Sequence, residues 1–222
     1  MITIRPHRLF NLVSTPSYEA RLVKIVLPND RTPLLLETAI LLALGKIIEP
    51  RTYFEFGTFL GIQLLNMAAN LPQCRVYTLD LDEESVKTLI QDESDRPLTV
   101  EHLQAKDKLA FVQSSFEEKI TYLRGDSNIH DFTSLHGQMD LIYIDGGHDM
   151  RTLQSDTENA FRMLSRDHAG CIVWHDYGNG SYPHLKTYLD ELSDRYDIFA
   201  VQETWLAFFL CNADRVVTLL KK

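Results

Sequence analysis

Hydrophobic residues fall into two patterns along this chain. Five short runs are apolar almost throughout and rich in aromatic and branched side chains: TYFEFG (52–57), VYTLD (76–80), ITYLRGD (120–126), LIYID (141–145) and CIVWHD (171–176). Each ends in Gly, Asp or His. Runs of this length without a polar face suit strands covered on both sides, as in a parallel sheet. Between them the period changes. Met150, Leu153, Ala160, Phe161 and Leu164 recur at helical spacing after the fourth run, and Leu185, Tyr188, Leu189 and Leu192 do so after the fifth. This alternation predicts a doubly wound α/β fold with a mostly parallel sheet.

The two ends of the chain depart from that rhythm. In DIFAVQETWLAFFLCNA (197–213) two strand-like runs meet with no room for a helix, which predicts an antiparallel C-terminal hairpin and a seven-stranded sheet. Residues 1–50 read as an N-terminal helical segment ahead of the sheet and helices of 51–222, all within one domain. The stretch QDESDRPLTVEHLQAKDKLAFVQSSFEEK (91–119) reads as helical over much of its length. It is an insertion suited to shaping substrate access or a subunit contact.

Composition narrows the classes of function. The 222 residues are 45% hydrophobic, enough for one sizeable core, and the net charge is −9 with no lysine- or arginine-rich block. Binding to nucleic acid or an anionic membrane is therefore not expected. The N-terminus lacks the uninterrupted apolar core of a signal peptide, and LLLETAILLALGKII carries Glu37 and Lys46 and is too short to span a bilayer. Cys74, Cys171 and Cys211 are odd in number and in no metal-ligand pattern, so free thiols are expected. A cytoplasmic protein is expected.

The polar residues at the strand ends matter jointly, because ligands of open α/β sheets bind beyond the carboxyl ends of the strands. They are Glu55 and Gly57, Asp80, Asp126 and Ser127, Asp145 and His148, and His175 and Asp176. Acidic groups dominate. The first loop, EFGTFLG, offers Gly57 for a sharp turn and Gly61 for close approach of a ligand, but lacks the middle glycine of a dinucleotide site. A pyrophosphate would face a row of carboxylates. A cofactor with a cationic centre, a ribose diol and no phosphate fits that lining better, and S-adenosylmethionine is such a molecule. Asp80 at the second strand end is suited to the ribose hydroxyls.

Taken in order, FEFGTFLG, VYTLDLD, KITYLRGDSNIHDF, DLIYIDGGHDMRTLQSDTENAF and IVWHDYG resemble the class I S-adenosylmethionine-dependent methyltransferases with their Rossmann-like sheet. The branch they resemble is that of the macrocin O-methyltransferases and cephalosporin-hydroxylase-like proteins, over residues 31–211. The resemblance implies that Glu55 and Gly57 line the methionine end of the cofactor, that Asp80 takes the ribose, that Asp126 and Ser127 take the adenine, and that Thr58, Gly61 and Asp145 also belong to the cofactor site. It also implies Asp145 at a divalent metal, with His175 and Asp176 as paired ligands. The sequence departs from relatives at Gln63, Met150 and the RDHAG turn, and at His175, where metal-dependent relatives often carry a carboxylate.

Methyl transfer to a hydroxyl needs alignment of two reactants and a route for the hydroxyl proton. A general base or a metal can serve. His148, three residues after Asp145, is the first choice for base, although a histidine beside carboxylates should have a raised pKa. Asp145, His175 and Asp176 form a facial set that suits manganese, iron or zinc better than magnesium. The expected acceptor is a small molecule, and a homodimer is compatible with the chain. Two other readings remain: a metal-dependent hydrolase built on Asp145, His148, His175 and Asp176, and a non-catalytic cofactor-binding module.

Overall fold

The computed structural model describes residues 1–13, 19–24, 35–88, 95–105 and 108–222. The parts of the N-terminal segment and of the insertion within 14–18, 25–34, 89–94 and 106–107 lie outside the described residues. Among the described residues eight strands form one sheet: β1 (Ile2–Ile4), β2 (Thr52–Phe56), β3 (Arg75–Asp80), β4 (Ile120–Arg124), β5 (Leu141–Ile144), β6 (Gly170–Trp174), β7 (Ile198–Val201) and β8 (Ala207–Cys211). Their spatial order is β1-β7-β8-β6-β5-β2-β3-β4. Only β8 runs antiparallel, between β6 and β7, so the C-terminal hairpin closes an otherwise parallel sheet.

The doubly wound α/β class is as the patterning predicts, with one strand more. Residues 2–4 lie at the head of a segment read as helical, yet they pair in parallel with β7, Ile2 opposite Phe199 and Ile4 opposite Val201. A run of three residues is too short to show a period, and its partner lies nearly two hundred residues away.

Every position of β2, β5, β6 and β7 is buried, as expected of strands with a layer on each face. On one face Tyr53, Tyr143, Cys171 and Val173 pack against α2 (Leu35–Ile48) and α3 (Ile62–Asn70). On the other, Phe54, Phe56, Ile142, Ile144, Ile172 and Trp174 pack against α6 (Met150–Met163) and α7 (Pro183–Leu192). Helix α2 is apolar nearly all round because it is buried nearly all round, and Glu37 is buried with it. Helix α6 begins where the Asp149 side chain accepts the Thr152 N–H at 3.0 Å, and α7 where proline occupies its first turn.

The sheet reverses its winding between β2 and β5, which lie side by side although 84 residues intervene between Phe56 and Leu141. At the amino ends of this pair, Arg51 donates to Asp140 through Nε (3.0 Å) and Nη2 (3.1 Å), closing the edge opposite the crevice. At the carboxyl ends the strands splay into loops, and there the polar residues collect. All three cysteines are free. Among the described residues no helix is long and apolar enough to cross a membrane.

Candidate active site

A cavity of about 370 Å³ opens at the carboxyl ends of β2, β3, β5 and β6. That volume falls in the range of small-ligand sites. Gly57, Asp80, Asp126, Ser127, Asp145, His148, His175 and Asp176 all line it. Glu55, Thr58 and Gly61 do not.

The glycine loop explains that division. Gly57 sits at φ +85, and a Cβ there would lie 2.1 Å from the Asp145 carbonyl oxygen. Its bare backbone lets the loops after β2 and β5 touch. Asp80 then holds the loop: its Oδ2 accepts the N–H groups of Thr58 and Phe59, both at 2.7 Å. Phe59 has φ 45, a costly conformation for an aromatic residue, maintained by those bonds. The Thr58 hydroxyl pairs with that of Thr78 at 2.7 Å, away from the cavity. Gly61, expected to admit a ligand, instead admits Phe111, whose Cδ1 would be 2.8 Å from a Cβ at that position. Glu55 is buried and accepts the Tyr53 hydroxyl at 2.5 Å; burial raises its pKa well above the ordinary carboxylate range.

The insertion contributes more than its sequence suggested. Helix α5 (Arg96–Ala105) lies along the cavity and is bonded at both ends. His102 faces the Phe59 carbonyl oxygen through Nδ1 at 2.7 Å and the Tyr122 hydroxyl through Nε2 at 3.0 Å. Asp95, just before the helix, accepts the His148 backbone N–H at 3.0 Å and faces His148 Nδ1 at 2.6 Å. Nothing in the sequence paired Asp95 with His148, since no period links positions 53 residues apart.

His148 is correspondingly saturated. Its Nε2 faces Asp176 Oδ2 at 2.8 Å, and Tyr182 stacks on its ring with centroids 3.9 Å apart and planes 5° off parallel. Burial alone would lower its pKa, but Asp176 and Asp95 outweigh burial and lift it to about 10. At neutral pH the ring therefore holds its proton. The base role expected of His148 requires that one of these carboxylates first be drawn away. His184 braces the same residue by contacting the His148 carbonyl oxygen at 2.6 Å. Tyr177 bonds Asp190 through its hydroxyl at 2.9 Å and is not among the cavity residues.

Next to it lies the candidate metal set. His175 Nδ1 stands 2.9 Å from Asp145 Oδ1 and 3.1 Å from Asp176 Oδ2, and the three side chains offer ligand atoms within 4.8 Å of one another. Asp176 has φ 61, in the left-handed region, which turns its carboxylate back toward both histidines. Burial raises its pKa, but hydrogen bonds and charge from His148 and His175 prevail and hold it far below the ordinary range. Two carboxylates and an imidazole are a donor set that fits a divalent cation.

The opposite end of the cavity has a different character. Asp126 Oδ1 accepts the Asn128 N–H at 2.9 Å and its Nδ2 at 2.8 Å. Asn128 Nδ2 also reaches Thr152 Oγ1 at 3.0 Å, which orients the amide and leaves Oδ1 outward. Both Asn128 Oδ1 and Asp156 Oδ1 are buried acceptors with no hydrogen-bond partner among the described residues. Both residues line the cavity. Burial raises the Asp156 pKa to about 7 despite a bond from Ser127. One oxygen of Asp156 makes no hydrogen bond among the described residues.

Comparison with known proteins places this geometry in context. A family model described as a methyltransferase domain matches residues 54–177, more than half of the chain. No curated protein matches the sequence. Among solved structures, the methyltransferase PaMTH1 of Podospora anserina, bound to S-adenosylhomocysteine, is similar with a TM-score of 0.55 at 15% identity, covering 82% of this chain and 80% of its own. An O-methyltransferase from Bacillus cereus in complex with S-adenosylhomocysteine is similar with a TM-score of 0.51 at 16% identity, covering 82% of each chain.

Proposed function

The chain belongs to the methyltransferase domain family, and on that premise we propose that it is an S-adenosylmethionine-dependent O-methyltransferase acting on a small-molecule hydroxyl, in the macrocin and cephalosporin-hydroxylase-like branch. The observation that carries the reading is the pairing, in one cavity, of a loop-bound Asp80 with two donorless acceptors, Asn128 Oδ1 and Asp156 Oδ1. A nucleoside without phosphate supplies what both need: ribose hydroxyls for the carboxylate and an amino group for the acceptors. The hydrolase alternative leaves those acceptors without a role. That the two structural neighbours hold S-adenosylhomocysteine supports the same reading.

When bound, S-adenosylmethionine supplies an activated methyl group. Asp80 would hold its ribose and Asn128 and Asp156 its adenine, while the acceptor hydroxyl would pass its proton to the Asp145–His148–Asp176 cluster as it takes the methyl group. Alignment of the two reactants can supply up to about 7–11 kcal/mol of barrier reduction. The chain's own contribution is to hold the acceptor beside the carboxylate–imidazole cluster. A divalent metal held by Asp145, His175 and Asp176 would supply Lewis acidity toward the acceptor oxygen. His148, gripped between Asp95 and Asp176, has no ring nitrogen free for the acceptor and serves as base only once Asp176 is engaged elsewhere.

The test is calorimetric titration of the protein with S-adenosylhomocysteine, with and without manganese, beside Asp80→Ala. Saturable binding lost in the variant is expected. Absence of binding to the wild-type protein under both conditions would sink the reading.

A further inference from the structure

His175 is the departure from an all-oxygen metal site, and its outer nitrogen is not left to chance. Nε2 stands 3.3 Å from Glu37 Oε2. Glu37 belongs to α2, on a different side of the crevice from the loops after β5 and β6, and is 1% exposed. Its other oxygen is fixed, since Oε1 accepts the Trp205 backbone N–H at 2.7 Å. The His175 ring is further wedged by the edges of Tyr143 and Trp205, each with ring centroids 6.2 Å away. A carboxylate on one imidazole nitrogen turns the other toward Asp145 and Asp176. Outer partners of this kind orient a ligand and raise its basicity.

We propose that Glu37 is a positioning residue that aims His175 Nδ1 into the Asp145–Asp176 pair, making this a mixed nitrogen–oxygen site that prefers manganese or another imidazole-binding metal over magnesium. The inference rests on the methyltransferase reading only for the use made of the metal. The selectivity follows from the ligands themselves. Magnesium demands oxygen and regular octahedral geometry, whereas imidazole suits the transition metals. Loss of the Glu37 contact leaves Asp145 and Asp176 able to hold magnesium but lets the imidazole swing out of register. A carboxylate there that served only to prop α2 against β6 would alter stability without altering the order of metals.

The test titrates the full-length protein, saturated with S-adenosylhomocysteine, with manganese chloride and with magnesium chloride, and records the visible absorption of the cobalt form. Wild type should bind manganese more tightly. Glu37→Gln, whose amide cannot accept from His175 and Trp205 with the same pair of oxygens, should weaken manganese about 10–100-fold while changing magnesium little, and should shift the cobalt spectrum. His175→Asp should remove the manganese preference, and Glu37→Gln added to it should have no further effect. If Glu37→Gln does not fold, Glu37→Asp, which shortens the arm by one methylene, carries the same expectation. Equal weakening of both metals, unchanged manganese affinity in a folded variant, or a wild type that binds the nucleoside but neither ion each overturns the proposal. A wild type that binds no S-adenosylhomocysteine counts against the methyltransferase reading instead, and the same metal titrations on the protein alone then decide the Glu37 question.

Discussion

The two ends of the crevice are finished in opposite ways. At the histidine end every imidazole nitrogen of His148 and His175 already faces a carboxylate: Asp95, Asp176, Asp145 or Glu37. At the other end, Asn128 Oδ1 and Asp156 Oδ1 face no donor among the described residues. One end is hydrogen-bonded from within, so a ligand or metal must compete with existing bonds to enter. The other carries the cost of buried, unpaired acceptors and gains when a donor arrives. Helix α6 supplies Thr152 and Asp156 to the second end, and the loops after β2 and β5 join where Gly57 meets the Asp145 backbone.

Because that joint is a backbone contact, it is where the contrast can be broken outright. Gly57→Ala would set a Cβ 2.1 Å from the Asp145 carbonyl oxygen at a φ of +85. A loss of about 3 kcal/mol or more is expected, seen as a lowered urea midpoint together with loss of nucleoside binding. A midpoint near wild type would show that the two loops can part without cost.

The donorless end is tested next by changing the ligand. S-inosylhomocysteine replaces the amino group by a carbonyl, setting an acceptor against acceptors. Its affinity should be weaker than that of S-adenosylhomocysteine by about 1–3 kcal/mol, read by calorimetry at pH 8. Equal affinities would remove Asn128 and Asp156 from the recognition of the base.

At the saturated end, Asp95→Asn should bring the His148 pKa down from about 10 toward the ordinary histidine range, followed by nitrogen NMR of the imidazoles. The sign for stability follows from a folded pKa above the unfolded one. The contribution is complete below pH about 6.5 and is lost as pH rises through about 10. Wild type should therefore melt lower as the solution is made alkaline, and Asp95→Asn should show that decline over a narrower window. A variant with unchanged titration would detach the insertion from the site.

The smallest effect concerns Asp156. Its folded pKa of about 7 lies above the ordinary carboxylate value, so stability falls as pH rises from about 4 through about 7. Asp156→Asn removes that slope. The variant should melt higher relative to wild type at pH 8 than at pH 4, by about 2–4 °C for each kcal/mol of slope removed, in the absence of ligand. No change in the slope would mean that the carboxylate finds a donor in solution.

How much of this could be read in advance differs from residue to residue. The five apolar runs became β2 to β6 because a strand covered on both faces must be apolar throughout, and that requirement is written locally. The strand-end residues Asp80, Asp145, His175 and Asp176 were legible because the ends of parallel strands share one crevice. β1 was missed since three residues carry no period. The partners of the site, Glu37, Asp95, His102 and Tyr182, were missed for a related reason: each lies on a helix or connector whose own sequence does not say what it will face across the fold. Gly61 was read for a ligand and serves Phe111, because a glycine reports that something comes close without reporting what.

The sequence by itself determined the class of fold, the order of the strands' polar ends and the acidic character of the crevice, all set by local periodicity and by residue type. Tertiary structure alone decided which carboxylate holds which imidazole nitrogen, and which acceptors go without a donor. Those choices depend on distances of a few ångströms between segments up to 138 residues apart, and hydrogen bonding and charge at such range answer to packing rather than to position along the chain.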